Sequence, residues 1–288
     1  MTKNIVINAD DFGISVGVNS AIEMAYRGGI VRSASLISTG PEFKSAIKIA
    51  KRNPGLGIGT HLSLTWGTSV LDKNTIPDLV DPDNYFYSSP FALAVKVFIK
   101  KGTLLQIERE FEAQIKKVLD NDISLDHIDS QAHVHFLPQV FPIVVALAKK
   151  YKINHVRIPL EPLFSPPPPS GLIKWGILQI MGKILSIQGQ LPKKYPTFYG
   201  VLFTGNMKKK IIKKIILYQK SGNNIEILSH PGEKKLSKTK FLYSKQKIDS
   251  YLFSKNRYIE LKVLANGGLI SFIKKQEVNL CSFKKLIL

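Results

Sequence analysis

The sequence predicts an α/β fold in which helices surround a mostly parallel sheet. Apolar runs with strand character alternate with segments whose apolar residues recur at helical spacing, a pattern typical of repeated βα units. With 288 residues and 44% hydrophobic content, the chain can bury a sizeable core. The sequence shows no internal repeat, and α/β barrels of this length commonly form one domain. We therefore expect a single domain over residues 1–288.

The first helix illustrates how each element is justified. Val18, Ala21, Ile22 and Ala25 lie at helical spacing and are followed by the pair Gly28-Gly29, which suits a C-cap. The same reasoning predicts strand 4–9, helix 16–27, strand 31–38, helix 41–52, strand 56–64, a long loop 66–90, helix 91–119, strand 124–135, helix 138–151, strand 155–159, helix 206–220, strand 225–229, helix 248–264 and a last strand 269–272.

A proline run interrupts this alternation. Residues 165–170 read Ser-Pro-Pro-Pro-Pro-Ser, which favours a stiff polyproline connector. We expect it to begin an excursion from the core that covers about residues 160–195. Within this excursion, residues 171–188 are apolar apart from Lys174 and Lys183 and suit an interfacial helix. Asn206 is expected to be the N-cap of the next helix.

Cysteine content and charge narrow the class of protein. The single cysteine, Cys281, excludes a disulfide framework and a multi-cysteine zinc cluster, and residues 5–7 are too short for a signal-peptide core. We therefore expect a cytoplasmic protein, peripheral at most to the inner face of the membrane. The net charge is +20, and residues 206–288 hold 19 Lys or Arg against 5 Asp or Glu. A lysine-rich solvated surface or attraction to anionic lipid or phosphate explains this excess better than nucleic-acid binding.

Two adjacent carboxylates, Asp10 and Asp11, end the first predicted strand and precede Gly13. In parallel α/β folds this edge of the sheet is where active sites form. Neighbouring carboxylates repel, so a cation or a shared proton is expected between them. One Asp would then ligate a metal ion while the other takes a proton from water. The competing interpretation is an Asx turn that caps the next helix.

Histidines mark the ends of other predicted strands. His61 ends strand 56–64, where it suits either a metal ligand or a structural role. His230 follows strand 225–229 and precedes Pro231-Gly232, so it suits either a general acid or a turn cap.

The segment 124–135 is the densest in histidine. If it is a strand throughout, its period of two places alternate residues on one face. Such a polar row needs hydrogen-bond partners, a metal or water, which favours a functional site over an ordinary core face. The residues of this row are His127, Asp129, Gln131, His133 and His135.

Four motifs in this order resemble the YdjC-like carbohydrate deacetylases. They are NADDFG from residue 8, GTHLSLT from residue 59, HIDSQAHVHFLP from residue 127 and HPG from residue 230. The resemblance covers about residues 4–270 and includes chitooligosaccharide deacetylases, while residues 198–207 and 226–232 look closer to the hopanoid-biosynthesis-associated members. It implies a distorted TIM-like (β/α) barrel that hydrolyses the acetamide of an N-acetylated amino sugar, lipid-linked or in an oligosaccharide. One divalent metal, Mg²⁺ or Zn²⁺, is implied as well.

The resemblance also assigns roles to individual residues. Asp11 and His61 match metal ligands, Asp10 matches the general base and His230 matches the general acid. Arg157 matches a position that orders the carboxylates or holds substrate. The remaining expected site residues are His133 as a further ligand and Asp129 and His135 as substrate contacts.

Gln131 departs from the family pattern, because the usual third metal ligand, a histidine, falls at this position. An amide oxygen is a poorer ligand than imidazole for zinc. Three consequences stay open: His133 replaces the missing ligand, the preference shifts toward Mg²⁺, or metal binding is weakened.

The expected function is therefore metal-dependent deacetylation. The alternatives are a catalytically impaired relative that binds glycans or glycolipids, and another metal-dependent amidohydrolase or phosphoesterase on the same barrel. The expected partners are an amino-sugar substrate, an anionic membrane surface and, for a homodimer, a second copy of the chain.

Overall fold

The computed structural model describes residues 3–87, 89–100, 102–164, 169–219, 222–233, 252 and 254–286. The strands are β1 Lys3–Phe12, β2 Ser33–Leu36, β3 Gly57–Leu62, β4 His127–Ser130, β5 His155–Val156, β6 Thr197–Tyr199, β7 Asn224–Ser229 and β8 Val278–Leu280. The helices are α1 Val16–Arg27, α2 Phe43–Arg52, α3 Pro90–Ile99, α4 Gly102–Leu119, α5 Phe141–Lys150, α6 Pro169–Ile187, α7 Lys209–Tyr218, α8 Lys255–Leu264 and α9 Gly267–Lys275.

The strands form a curled parallel sheet in the order β5-β4-β3-β2-β1-β7-β6. β1 lies near its centre: it pairs with β7 along residues 4–9, with β2 farther along, and with β8 at its first residues. No ladder in the described part of the chain joins β5 to β6, so the sheet is a half-barrel flanked by helices. This confirms the predicted distorted TIM-like barrel. Because the strands are parallel, their carboxyl ends meet at one rim.

Local sequence explains how the helices pack on this sheet. Ser15 is the N-cap of α1, since its Oγ accepts a hydrogen bond from the Val18 backbone N–H at 3.1 Å. The apolar positions that predicted α1, among them Ala21 and Ile22, are fully buried with Ile5 and Ile7 of β1. This confirms the helical period, and burial of that face stabilises the βα unit.

The His-rich segment is not a strand beyond Ser130, so the prediction of strand 124–135 is wrong in its second half. After β4 the chain turns through a 3-10 helix, Gln131–Phe136. Ala132 and His133 adopt the left-handed region, at φ 51° and 57°. A period of two therefore does not apply here, and the predicted polar row on one face does not form.

Other predicted helices and strands differ from the structure in where they begin or end. Residues 269–272 belong to α9 and not to a last strand, because Asn266 caps that helix by accepting from the Gly268 N–H, and the strand comes later as β8. α7 begins at Lys209 with Lys208 in the N-cap position, so the Asn206 cap is wrong. The helical segment 91–119 is two helices, α3 and α4. Part of predicted helix 248–264 lies outside the described residues.

The segment after β5 leaves the sheet and returns as α6 over the carboxyl rim. Residues 165–168 of the proline run lie outside the described residues. Leu178 and Leu185 of α6 are buried in a cluster with Phe136, Phe141 and Phe198. Among the residues that can be described, no helix is both long and apolar enough to cross a membrane.

Candidate functional site

The predicted site residues meet at the carboxyl rim of the sheet. Asp10 and Asp11 end β1, His61 and Asp129 are directly opposite each other in the β3–β4 register, and His230 follows β7. All five are at most 9% exposed. Parallel pairing thus brings together residues that are more than 200 positions apart in the sequence.

A bulge in β1 explains how two adjacent carboxylates point into one cavity. Side chains of neighbouring strand residues normally face opposite sides of the sheet. The β1–β2 register shifts between Ala9 and Phe12, and Asp11 adopts φ 71°. The Oδ2 atom of Asp10 and the Oδ1 atom of Asp11 then lie 3.9 Å and 3.8 Å from Nε2 of His61. Asp11 thus occupies a backbone region rare for non-glycine residues, as residues at functional sites often do.

His61 is held by Asp129 on its other side. The Oδ1 of Asp129 lies 2.7 Å from Nδ1 of His61, so the carboxylate accepts from a protonated Nδ1. Nε2 therefore faces Asp10 and Asp11, in the carboxylate–histidine arrangement that orients metal ligands. Burial lowers the pKa of His61, but Asp129, Asp10 and Asp11 outweigh it and raise that pKa to about 9.

Arg157 lies at the centre of the buried charges. Its Nη1 and Nη2 donate to Oδ2 and Oδ1 of Asp10 at 2.9 Å each. Nη1 also lies 2.7 Å from Oδ2 of Asp129, and Nε donates to Oε1 of Glu226 at 2.6 Å. Burial lowers the pKa of Arg157, but the carboxylates of Asp10, Asp129 and Glu226 raise it well above its ordinary value. Arg157 therefore contacts three buried carboxylates at once, and its role toward them or toward substrate stays a prediction.

Asp11 has its own arginine partner, which the sequence did not reveal. Nη1 of Arg257 in α8 donates to Oδ2 of Asp11 at 2.9 Å. In the same helix, Oε2 of Glu260 accepts from the backbone N–H of His230 at 2.6 Å. Periodicity predicted the helix but carried no sign that these two positions reach the rim. Glu226 was missed for the same reason, because it lies on a strand that reads as apolar.

His230 lies beside both carboxylates of β1. Burial lowers the pKa of His230, and Asp11 and Asp10 partly oppose that effect. Lys174 of α6, a fourth residue missed from the sequence, also reaches the site. Burial lowers the pKa of the Lys174 amine, and Asp10 opposes it. His230, which follows β7, and Lys174, in α6, therefore line the same cavity as the residues of β1 and β3.

The His-rich turn divides its residues between two roles. Oε1 of Gln131 accepts from Oγ of Ser63 at 2.5 Å. His135 is fully buried, with Nε2 donating to the carbonyl of Arg157 at 2.9 Å and Nδ1 accepting from the Ser130 hydroxyl at 2.6 Å. Both ring nitrogens of His135 are thus engaged within the fold. These bonds join His135 to Ser130 and to the backbone of Arg157, and its contact with substrate stays a prediction.

His133 points the other way, into the cavity. It is buried, its Nδ1 has no hydrogen-bond partner among the described residues, and its ring packs edge-on against Phe198 at a centroid distance of 6.0 Å. Burial lowers the pKa of His133 well below the ordinary value, with Lys174 and Arg157 adding to the effect. A neutral imidazole with an unengaged nitrogen can accept a hydrogen bond or bind a metal.

These side chains line a cavity of about 300 Å³ at the rim. This volume matches small ligand pockets. Its lining consists of Asp10, Asp11, His61, Thr65, Trp66, Pro90, Ser130, Gln131, Ala132, His133, Lys174, Thr204, Leu228 and His230.

The donors at this rim, in the cavity and directly behind it, could hold a divalent cation. Asp10, His61 and Asp129 each offer a ligand atom within 4.8 Å of the others, and Asp11 lies equally near Nε2 of His61. His133 is not part of this group, although it lines the same cavity. Carboxylate oxygens with one imidazole suit a hard or borderline divalent ion. The distances of 3.8 Å and 3.9 Å from Nε2 of His61 to Asp11 and Asp10 are too long for hydrogen bonds.

Comparison with known proteins points to one family. The family described as YdjC-like protein matches residues 4–275. A carbohydrate deacetylase of Listeria monocytogenes is 32% identical over 98% of this chain and 99% of its own length. A carbohydrate deacetylase of Brevibacillus brevis is likewise 32% identical, over 98% of this chain and 99% of its own. A proposed cellobiose-phosphate cleavage protein of Enterococcus faecalis V583 shares the fold, with TM-score 0.71, 22% identity and full coverage of both chains.

Proposed function

Because this chain belongs to the YdjC-like family, we propose that it is a carbohydrate deacetylase that hydrolyses the acetamide of an N-acetylated amino sugar with the help of one divalent metal ion. The observation that carries the proposal is the pairing of Asp10 and Asp11 opposite Nε2 of His61, with Asp129 fixing the imidazole from behind. The relatives described as carbohydrate deacetylases supply the substrate class.

Asp11 and His61 would hold the metal, with Asp10 beside them and His133 facing the same cavity. When bound, the ion supplies Lewis-acid polarisation of the acetamide carbonyl and lowers the pKa of water. Gln131 cannot replace a histidine on equal terms, because its amide oxygen already accepts from Ser63. The donors that remain are the Asp11 carboxylate and the His61 imidazole, with His133 as a further nitrogen donor, a set that suits Zn²⁺ at least as well as Mg²⁺.

Asp10 is the proposed general base. Arg157 holds both of its oxygens, and Asn8 donates to Oδ1 at 2.8 Å, so the carboxylate is fixed in direction before substrate binds. A water molecule beside Asp10 can give up its proton as it attacks the acetamide carbon. Because the ion pair between Arg157 and Asp10 is already formed, the site needs little reorganisation when the proton moves from water to Asp10.

His230 is the proposed general acid. It reaches the cavity from the end of β7, the strand next to β1, and its backbone N–H donates to Glu260. As the carbon–nitrogen bond breaks, the amine nitrogen needs a proton, and His230, which lines the same cavity as Asp10, can deliver it. Acetate and the free amino sugar are then the products.

A substrate panel tests this proposal against a phosphoesterase on the same barrel. Purified protein with added Mg²⁺ or Zn²⁺ is expected to release acetate from N-acetylglucosamine glycosides and no phosphate from sugar phosphates. His230→Ala is expected to lower the rate about 100-fold or more, in line with the usual contribution of general acid catalysis. Phosphate release without acetate release would overturn the deacetylase assignment. Metal binding with neither product would favour a glycan-binding relative.

A further inference from the structure

A second cavity adjoins the candidate site and has a different character. It measures about 600 Å³ and lies between α3 and α6. It shares Pro90, Ala132, His133 and Lys174 with the catalytic cavity, so the two spaces meet at these residues. A substrate bound in one can therefore extend into the other.

Apolar side chains dominate the lining of this cleft. Among the described residues that line the cleft, Lys174 is the only lysine, arginine, aspartate or glutamate. It lies at the junction with the catalytic cavity. The other lining residues are Ser89, Pro90, Phe91, Ala94, Ala132, His133, Val134, Leu137, Ile173, Ile177, Leu178 and Met181. A purely polar sugar chain would leave most of this surface without a partner, whereas an alkyl chain would be removed from water along with it.

The two helices that form the cleft also expose apolar stripes. On α6 five exposed isoleucines lie three or four positions apart and so share one face, with the exposed Leu172 next to the first of them: Ile173, Ile177, Ile180, Ile184 and Ile187. On α3 the exposed residues at the same kind of spacing are Phe91, Val95 and Phe98. Phe91 and Phe98 are 79% and 81% exposed. Exposed apolar surface of this kind marks a site of contact with another molecule or a membrane.

The charges on the same helices are all positive. α3 carries Lys96, α6 carries Lys174 and Lys183, and neither helix contains Asp or Glu. Apolar faces flanked by lysine are typical of helices that lie on anionic lipid surfaces. If a second copy of this chain bound through the same helices, lysines would face lysines. Charge complementarity therefore favours an anionic lipid surface over a second copy.

We infer that the substrate is an amino sugar linked to a lipid, whose sugar enters the catalytic cavity while its alkyl part occupies the α3–α6 cleft. The inference rests on the proposed deacetylase function. The exposed stripes then contact the lipid surface from which the substrate is drawn. Lys174, at the junction of the two cavities, marks the boundary between the polar head and the apolar tail.

Paired substrates test the cleft. Acetate release is measured for the methyl and the n-octyl glycosides of N-acetylglucosamine, both below micelle-forming concentrations. Wild type is expected to show kcat/KM about tenfold or more higher for the octyl glycoside, because each methylene in an apolar pocket contributes to discrimination. Ile177→Glu places a charge in the cleft and is expected to bring the octyl-to-methyl ratio close to one. Ile187→Glu, on the same face but outside the cleft lining, is the matched control and should keep the wild-type ratio.

Binding without turnover gives an independent readout. Calorimetric titration with n-octyl glucoside, which carries no acetamide, is expected to detect binding to wild type and to Ile187→Glu but not to Ile177→Glu. Vesicles containing anionic phospholipid should co-sediment wild type at low salt, whereas neutral vesicles should not.

The outcomes separate the two proposals. If neither glycoside releases acetate, the deacetylase function fails. If both release it with equal kcat/KM and n-octyl glucoside does not bind, the function stands and the cleft proposal fails. A dimer in solution that Ile180→Glu dissociates, together with an octyl-to-methyl ratio of one in wild type, would assign the stripes to a second copy instead of lipid.

Discussion

Individual side chains at the rim are held in pairs. Asp10 is bound by Arg157, Asp11 by Arg257, and His61 by Asp129. In Asp11 and His61, the proposed ligands, the partner holds one atom and another faces the cavity, whereas Arg157 holds both oxygens of Asp10, the proposed base. The arrangement matches the rule that groups behind the metal ligands orient them and tune their basicity. Each proposed functional side chain therefore depends on the neighbouring arginine or aspartate that holds it in place.

The protonation of His61 leads to a testable pH dependence. Its pKa of about 9 means that the metal-free imidazole carries a proton at neutral pH. Metal must displace that proton, so apparent affinity should rise as pH rises, by about tenfold per unit from roughly pH 6 to pH 8. Calorimetric titration with Mg²⁺ or Zn²⁺ across this range measures the slope. Asp129→Asn removes one carboxylate that raises this pKa and should flatten the slope. A pH-independent affinity in wild type would contradict the account.

Among the secondary-structure elements, the turn after β4 decides which histidines reach the cavity. Its left-handed residues Ala132 and His133 direct His133 inward, while His135 folds back to the Arg157 carbonyl. The sequence predicted β4 and the importance of the segment, because a polar cluster at a strand end is visible without a structure. It could not predict the left-handed turn, since no glycine marks it. The β1 bulge at Asp11 escaped prediction for the same reason.

Backbone strain at Ala132 leads to a second prediction. A non-glycine residue in the left-handed region costs about 1–2 kcal/mol, and glycine costs about 0.5–1 kcal/mol in unfolded-chain entropy. Ala132→Gly is therefore expected to raise the free energy of unfolding by about 0.5–1 kcal/mol. Chemical denaturation measures the change. Ala113→Gly in the middle of α4 is the matched control and should lower stability by about 1 kcal/mol. Destabilisation by both substitutions would show that Ala132 is not strained.

For the whole molecule, Arg157 links the two halves of the sheet. It follows β5 at one edge, binds Asp10 in the centre, and reaches Glu226 in β7 near the other edge. No ladder in the described residues joins β5 to β6, so these ion pairs span the open side of the half-barrel. The alternation of strands and helices predicted the barrel. It could not predict this connection, because Arg157 and Glu226 stand in different elements 69 positions apart.

Removing Arg157 should therefore affect stability as well as catalysis. Arg157→Met leaves Asp10, Asp129 and Glu226 buried without their shared cation, a change that typically costs about 3–5 kcal/mol. Thermal unfolding of the metal-free proteins measures the loss. Arg109→Met, on the exposed face of α4, is the matched control and should leave the unfolding midpoint unchanged. Equal stability of wild type and Arg157→Met would show that the ion pairs do not hold the half-barrel together.

The division of labour between Asp10 and Asp11 is the central claim, and metal content measured together with acetate release tests it most directly. Purified wild type, Asp10→Asn, Asp11→Ala and Gln131→His are compared by elemental analysis and by turnover on N-acetylglucosamine glycosides. The account predicts near-stoichiometric metal with turnover in wild type, metal without turnover in Asp10→Asn, and loss of both in Asp11→Ala. Unchanged turnover in Asp10→Asn, or metal absent from wild type and restored by Gln131→His, would contradict it.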